Sequence, residues 1–241
     1  MKLEQDRQIK NTGGKGSVSE LLPLVSLQDV TLGYDSTPVV QGVSLAIYPR
    51  ELVGLAGPNG SGKTTLFRAI LGLLPILSGA LTRGCPLSHF GYVPQSAALD
   101  PQFPLSVAEI VEMGAYGRVS SYQLLPAAEK KRAAEVLDQV GMAHLIKKSF
   151  FALSGGQKQR ILIARALMVN PKIMILDEPL SGVDEESRRS ITELLIQLTN
   201  NGLAIFFSSH DLEMVQRVGD KIVRVDRGKI LIEERKPSLL R

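Results

Sequence analysis

The stretch "ELVGLAGPNGSGKTTLFRAILGLL", Glu51 to Leu74, limits what this chain can fold into more than any other. It opens as an apolar strand ending in glycine, passes through Gly57, Pro58, Asn59, Gly60, Ser61 and Gly62, and continues from Lys63 to Leu74 with helical spacing. Gly57 to Thr64 fits G-x-x-x-x-G-K-[ST], and the pattern stands where it has a mechanism, between a buried strand and a helix. Glycines let the chain curl until backbone N–H groups converge on an anion-sized hollow. The helix N-terminus adds roughly half a positive charge. Lys63 can then reach the β- and γ-phosphates of a nucleotide. The Thr64 hydroxyl is placed for Mg²⁺, with Thr65 beside it. A strand–loop–helix of this kind needs a sheet to carry it.

The rest of the chain supplies one. "LVSLQDVTLGY" (Leu24 to Tyr34) alternates as a strand, "ALTRG" and "HFGYVP" read as short strands, and "KIMIL" (Lys172 to Leu176) and "LAIFFSS" as buried ones. "KIVRV" and "KILIE" flank a "DRG" turn. Helical spacing covers Ala127 to Val140, Gln157 to Met168 and Asp184 to Leu198. "SVAE" forms a capping box, with Ser106 capping and Glu109 at the third helical position. Strands alternating with helices imply an α/β fold with a mostly parallel sheet covered on both faces. The helical stretch between Ser106 and Gly156 breaks that rhythm and reads as an inserted subdomain, about 100–160, within a domain spanning 23–241. Residues 1–22 are polar and Gly/Ser-rich, lack the apolar core of a signal peptide, and read as a disordered tail.

Composition narrows the partners. A net charge of +4, with no dense basic block interleaved with aromatics, gives no support to nucleic-acid binding. Cys85 is the single cysteine, which excludes an internal disulfide and a cysteine metal cluster and suits a reducing cytosol. The most apolar run, "AILGLLPIL", is too short to cross a bilayer and contains Pro75. Work at a membrane would therefore need another chain to supply the spanning helices.

Several polar residues leave apolar strands toward one edge. In "IMILDEP" the strand ends in Asp177, placed to hold Mg²⁺, and Glu178, placed to orient or deprotonate an attacking water. Gln95 in "YVPQ" is a candidate to ligate Mg²⁺ or position water. His210 in "FFSSHD" is a catalytic candidate, and Tyr34 can stack on an adenine ring. A second glycine-rich turn, "LSGGQKQR", then stands before a helix, where Ser154, Gly155, Gly156 and Gln157 offer a hydroxyl and bare N–H groups to a phosphate. One nucleotide does not obviously need two such turns.

Taken in order, these motifs resemble those of the nucleotide-binding subunit of an ABC transporter, over about Leu24 to Glu234. The matching elements are the aromatic at Tyr34, the phosphate loop through Thr65, the glutamine at Gln95 and the signature at Leu153 to Gln157. The acidic strand end at Asp177 and Glu178, the "SGVD" loop from Ser181 to Asp184 and the histidine at His210 complete the series. The resemblance implies a P-loop NTPase fold with an N-terminal antiparallel β region and an inserted helical subdomain. It implies ATP and Mg²⁺ as cofactors. It also implies a head-to-tail dimer in which ATP lies between the phosphate loop of one chain and the signature of the other, with Asp184 close to that junction. The partners would be a transmembrane permease, a second cassette (an identical chain) and an extracytoplasmic solute-binding protein. The subunit itself would sit peripherally on the cytoplasmic face of the membrane. A soluble ABC protein of DNA repair or translation is the rival reading, but Gln95 to Ser154 carries no sustained heptads. A phosphate-loop kinase would leave "LSGGQ" without a role.

The segment after Gln95 resembles the zinc, manganese and iron uptake branch. Phe103, Pro104, Ser106, Val107, Val111, Met113, Gly114, Tyr116, Gly117 and Arg118 carry the match, as does the "GVD" of the Asp184 loop. Many members of that branch place a tryptophan before the Phe-Pro, where this chain has Gln102. The resemblance implies that this segment docks on the membrane subunit and that the cargo is a divalent metal ion.

Overall fold

The computed structural model describes residues 22–95, 99–100, 102–117, 125–226 and 228–234. The expected tail, the segment around Ser96 and Arg118 lie outside these, apart from Leu22.

β1 (Val25–Tyr34) and β2 (Thr37–Ile47) form a hairpin whose turn, Asp35 and Ser36, has both residues at positive φ, the conformation that matches the twist of paired strands. β4 (Ile76–Arg83) joins the other edge of β1 to make a three-stranded antiparallel sheet. β2 went unrecognised in the sequence because its inward residues shift from Val40 to Val43 before alternating through Leu45 and Ile47. The irregularity falls at Gly42, which takes φ 65.

β3 (Leu52–Ala56) is buried at every position and lies centrally in a six-stranded sheet of order β5-β6-β7-β3-β8-β9. β5 (Phe90–Val93), β6 (Ile173–Leu176), β7 (Ala204–Ser209), β3 and β8 (Lys221–Asp226) run parallel. Only the pairing of β8 with β9 (Lys229–Glu234) is antiparallel. The continuous apolar runs follow from burial on both faces. Ile173, Ile175 and Phe206 join the core beneath the antiparallel sheet and α1 (Lys63–Ile70), where Phe67 meets Phe206 edge to face at 4.9 Å. Met174, Leu176 and Phe207 join the core on the opposite face, beneath the remaining helices.

α1 ends four residues before the expected Leu74. Gly72 turns to φ 73, Leu73 N–H reaches back to the Arg68 carbonyl, and Arg83 donates to the carbonyls of Ala69 and Ile70. The apolar residues beyond start β4 instead, earlier than the "ALTRG" run suggested. Between β5 and β6 lie α2 (Val107–Glu112), α3 (Ala127–Gln139) and α4 (Gly155–Leu167). The Ser106–Glu109 capping box forms as expected, and Val107, Ile110 and Val111 are fully buried as one stripe. Phe103 and Tyr116 stay 62% and 57% exposed. α5 (Glu185–Asn200) and α6 (Leu212–Val218) follow β6 and β7; α6, capped by Asp211, was not anticipated. No helix among the described residues is long and apolar enough to cross a membrane.

Candidate functional site

The parallel strands β5, β6, β7 and β3 are neighbours, and all release their polar residues at the carboxyl edge, where open α/β sheets bind ligands. After β3, Gly60 (φ 77) and Gly62 (φ 105) curl the phosphate loop through backbone that side chains resist. A Cβ on Gly62 would also drive into the Val40 side chain. Gly62 is the N-cap of α1 and supplies no side-chain cap. The first N–H groups of that helix are therefore left for another acceptor. Lys63 is buried, and its ammonium donates to the carbonyls of Gly57 (2.8 Å) and Pro58 (3.2 Å). The Ser61 hydroxyl is buried without a hydrogen-bond partner among the described residues. A donor-lined loop with an orphaned hydroxyl fits phosphate oxygens.

Asp177 and Glu178 leave β6 side by side and are both buried. Thr64 Oγ1 donates to Asp177 Oδ2 at 2.7 Å, bridging the phosphate-loop helix and the acidic strand end. Two hard oxygens so placed fit Mg²⁺, which favours few protein oxygens and keeps water and phosphate oxygens for the rest. Glu178 adopts φ 51, a strained left-handed backbone for a residue with a side chain. That turn aims its carboxylate between Lys63 Nζ (3.2 Å from Oε1) and His210 Nδ1 (3.0 Å from Oε2). His210 is 60% exposed on its side chain, so one side of the imidazole faces solvent.

A cavity of about 480 Å³ gathers Tyr34, Val39, Asn59, Gly60, Gly62, Lys63, Thr64, Thr65, Gln95 and Glu178. Tyr34, 42% exposed at the end of β1, stands at this cavity with its ring available for stacking. Gly57, Pro58 and His210 line a smaller neighbouring cavity of about 280 Å³ with Arg224 and Asp226. The signature residues and Asp184 line neither. Within one chain, the second glycine turn is thus apart from the first.

The signature helix also starts earlier than its sequence suggested. α4 begins at Gly155, so the glycines form its first turn rather than precede it. Ser154 Oγ accepts the Gln157 N–H, and Gln157 Oε1 accepts the Ser154 N–H. This is a capping box, legible as S-x-x-Q. It places the Gln157 side chain on the helix end, leaving the Ser154 hydroxyl proton and the N–H groups of Gly155 and Gly156 to meet a ligand. Gly156 has a further reason to lack a side chain: a Cβ would strike Ser187 on α5. Asp184 caps α5, accepting from Ser187 N–H (2.9 Å) and Oγ–H (2.8 Å), and these two bonds lower its carboxyl pKa.

Sequence reasoning missed Ser208. It is fully buried on β7, donates to Asp177 Oδ1 (2.7 Å) and accepts the Glu178 N–H (2.8 Å). The available signal was a pair of hydroxyls, Ser208 and Ser209, closing the apolar run "AIFFSS".

A family model for ABC transporters matches residues 40–181. The manganese transport system ATP-binding protein MntB of Bacillus subtilis (strain 168) is 38% identical over 211 residues, covering 86% of this chain and 84% of that protein. The zinc transport system ATP-binding protein TroB of Treponema pallidum (strain Nichols) is 38% identical over 204 residues, covering 83% of this chain and 77% of that protein. Among solved structures, a transporter described as an ABC transporter of metal-chelate type, in an inward-facing conformation, superposes with a TM-score of 0.82 at 28% identity. That match covers 88% of this chain and 83% of the other. The strand-end motifs, the cassette architecture and these relatives agree: the chain belongs to the ABC transporter family, as one of its ATP-binding and ATP-hydrolysing subunits.

Proposed function

We propose that this chain powers the inward transport of a divalent metal ion (zinc, manganese or iron) through a separate membrane-spanning permease. The observation that carries the reading is the identity, 37–38%, to ATP-binding proteins of zinc and manganese transport systems. The exposed Phe103 and Tyr116, held beside the buried stripe of α2, support it as a docking face for that permease. In this reading an extracytoplasmic solute-binding protein delivers the cargo, and the chain sits peripherally on the cytoplasmic face. α2, α3 and the start of α4 act as a helical subdomain.

In this reading each residue of the site has a role that the geometry supports. Tyr34 stacks on the adenine. Gly57, Pro58, Asn59, Gly60, Ser61, Gly62, Lys63, Thr64 and Thr65 cradle the phosphates. Thr64, Asp177 and Gln95 are the residues that would hold Mg²⁺, which neutralises charge developing on the phosphate oxygens. Glu178 orients the attacking water and takes its proton, and His210 steadies the Glu178 carboxylate and faces the γ-phosphate. Ser154, Gly155, Gly156 and Gln157 complete the site of a second cassette in a head-to-tail dimer, and Asp184 fixes the loop beside them. Only a triphosphate spans both surfaces, so ATP closes the dimer and hydrolysis releases it.

The test is radiometal uptake into vesicles holding this chain with its permease. ATP-dependent accumulation of zinc, manganese or iron is expected, and cells lacking the chain should grow poorly when that metal is limiting. Uptake of a sugar or amino acid with no metal accumulated would overturn the metal assignment while leaving the ATPase intact.

A further inference from the structure

The register of the sheet pairs Leu176, the last residue of β6, with Phe207 on β7, so Ser208 stands one step beyond, level with the acidic pair. A hydroxyl without solvent contact in a two-sided core is tolerated only when its hydrogen bonds are met. Both of its bonds go to the site. The directions are fixed by chemistry: the Glu178 N–H can only donate, so it takes a lone pair of Ser208 Oγ, and the hydroxyl proton goes to Asp177 Oδ1.

We propose that Ser208 is a positioning residue for ATP hydrolysis, one hydroxyl setting the orientation of both Asp177 and Glu178. This rests on the roles assigned above to those two acids. With Oδ1 tied to Ser208, the other oxygen of Asp177 faces Thr64. With its N–H tied to the same hydroxyl, Glu178 is held at φ 51, the backbone turn that brings its carboxylate to Lys63 and His210. Two residues further along the same segment, His210 holds the Glu178 side chain. β7 and the residue that follows it thus grip Glu178 twice, by its backbone through Ser208 and by its carboxylate through His210. Partners that orient ligating or reacting groups in this way commonly control about 10- to 100-fold of activity or metal affinity.

Ser208→Thr and Ser208→Val have nearly the same shape and differ in the hydroxyl, so comparing them separates bonding from filling. In the full chain, the Thr variant should keep turnover close to the parent. The Val variant should lose about 10- to 100-fold in kcat with little change in KM for ATP. Calorimetric ATP titrations at graded Mg²⁺, which need no turnover, should show the Val variant requiring more Mg²⁺ for half-maximal binding. Ser208→Ala adds no volume, so it should show the same loss of kcat and the same higher Mg²⁺ requirement even where the added methyl of the other two impairs folding. Equal turnover and equal Mg²⁺ response in Thr and Val variants that fold as the parent does, or parent-like behaviour in Ala, would overturn the inference. Glu178→Gln, run in parallel, keeps the two levels distinct. A hydrolysis-deficient Glu178→Gln with Thr equal to Val sinks Ser208 alone; an active Glu178→Gln sinks the reading of Glu178 beneath it.

Discussion

At the start of α1 the N-cap is Gly62, at φ 105 and with no side-chain cap; at the start of α4 it is Ser154, extended at φ −64 inside a complete capping box. Both turns place glycines at a helix end, but for different reasons. In the phosphate loop the glycines are demanded by backbone conformation, since Gly60 and Gly62 occupy left-handed φ. In the signature turn Gly155 and Gly156 are ordinary helical residues, and what excludes a side chain at Gly156 is the close approach of Ser187 on α5. Gly155 lies near the Gly182 carbonyl, 3.4 Å from where a Cβ would stand. The first turn is a cradle, open to an anion from several sides. The second is a pre-capped helix end seated on the Asp184 loop. It presents a small polar face that is complete in itself and apart from the cavity that holds Lys63. In the proposed head-to-tail dimer the second turn is the lid for the cradle of another chain.

The sharpest way to break the contrast is by alanine at matched glycines. Gly62→Ala must force left-handed backbone, costing about 1–2 kcal/mol for conformation alone, and also displace Val40. ATP binding, measured by titration calorimetry, should be lost or severely weakened. Gly155→Ala meets no conformational penalty and only a carbonyl contact at 3.4 Å, so its ATP binding should stay near normal while turnover falls. Equal loss of binding in both would mean the two turns work alike.

A smaller effect sharpens the division between the ends of the site. Tyr34, at the cavity mouth far along β1, should act on affinity: Tyr34→Ala weakens ATP binding by about 1–3 kcal/mol, the scale of one base-stacking contact, with turnover at saturation preserved. His210, bonded to Glu178, should act on turnover: His210→Ala retains ATP binding and slows hydrolysis. Exchanged phenotypes would mean that the base and γ-phosphate ends have been assigned the wrong way round.

Most of the site was legible because its chemistry is local. An apolar run that gives way to Gly57, Gln95, Asp177 or His210 announces a strand end, and the parallel sheet brings those ends together. The order of elements followed from the same runs. What escaped was set by long-range pairing or hidden by local irregularity. β2 lost its alternation at Gly42. α6 was too short for its period to stand out. Ser208 looked like a strand residue because its partners, Asp177 and Glu178, are 31 and 30 positions away along the chain. The start of α4 is written in the spacing of Ser154 and Gln157, which cap the helix while its glycines resemble a phosphate-binding turn.

Whether the signature of one chain closes the cradle of another is decided by mixing two inactive variants. Ser154→Arg keeps Lys63 but blocks the signature; Lys63→Ala keeps the signature but disables the loop. Each variant alone should hydrolyse almost no ATP, because every site in either homodimer lacks one half. In a mixed dimer one site combines Lys63 from the first chain with Ser154 from the second, so ATPase activity should reappear on mixing. Activity in the mixture no greater than the sum of the two separate preparations, with mixed dimers demonstrated by differential tagging, would contradict the shared site.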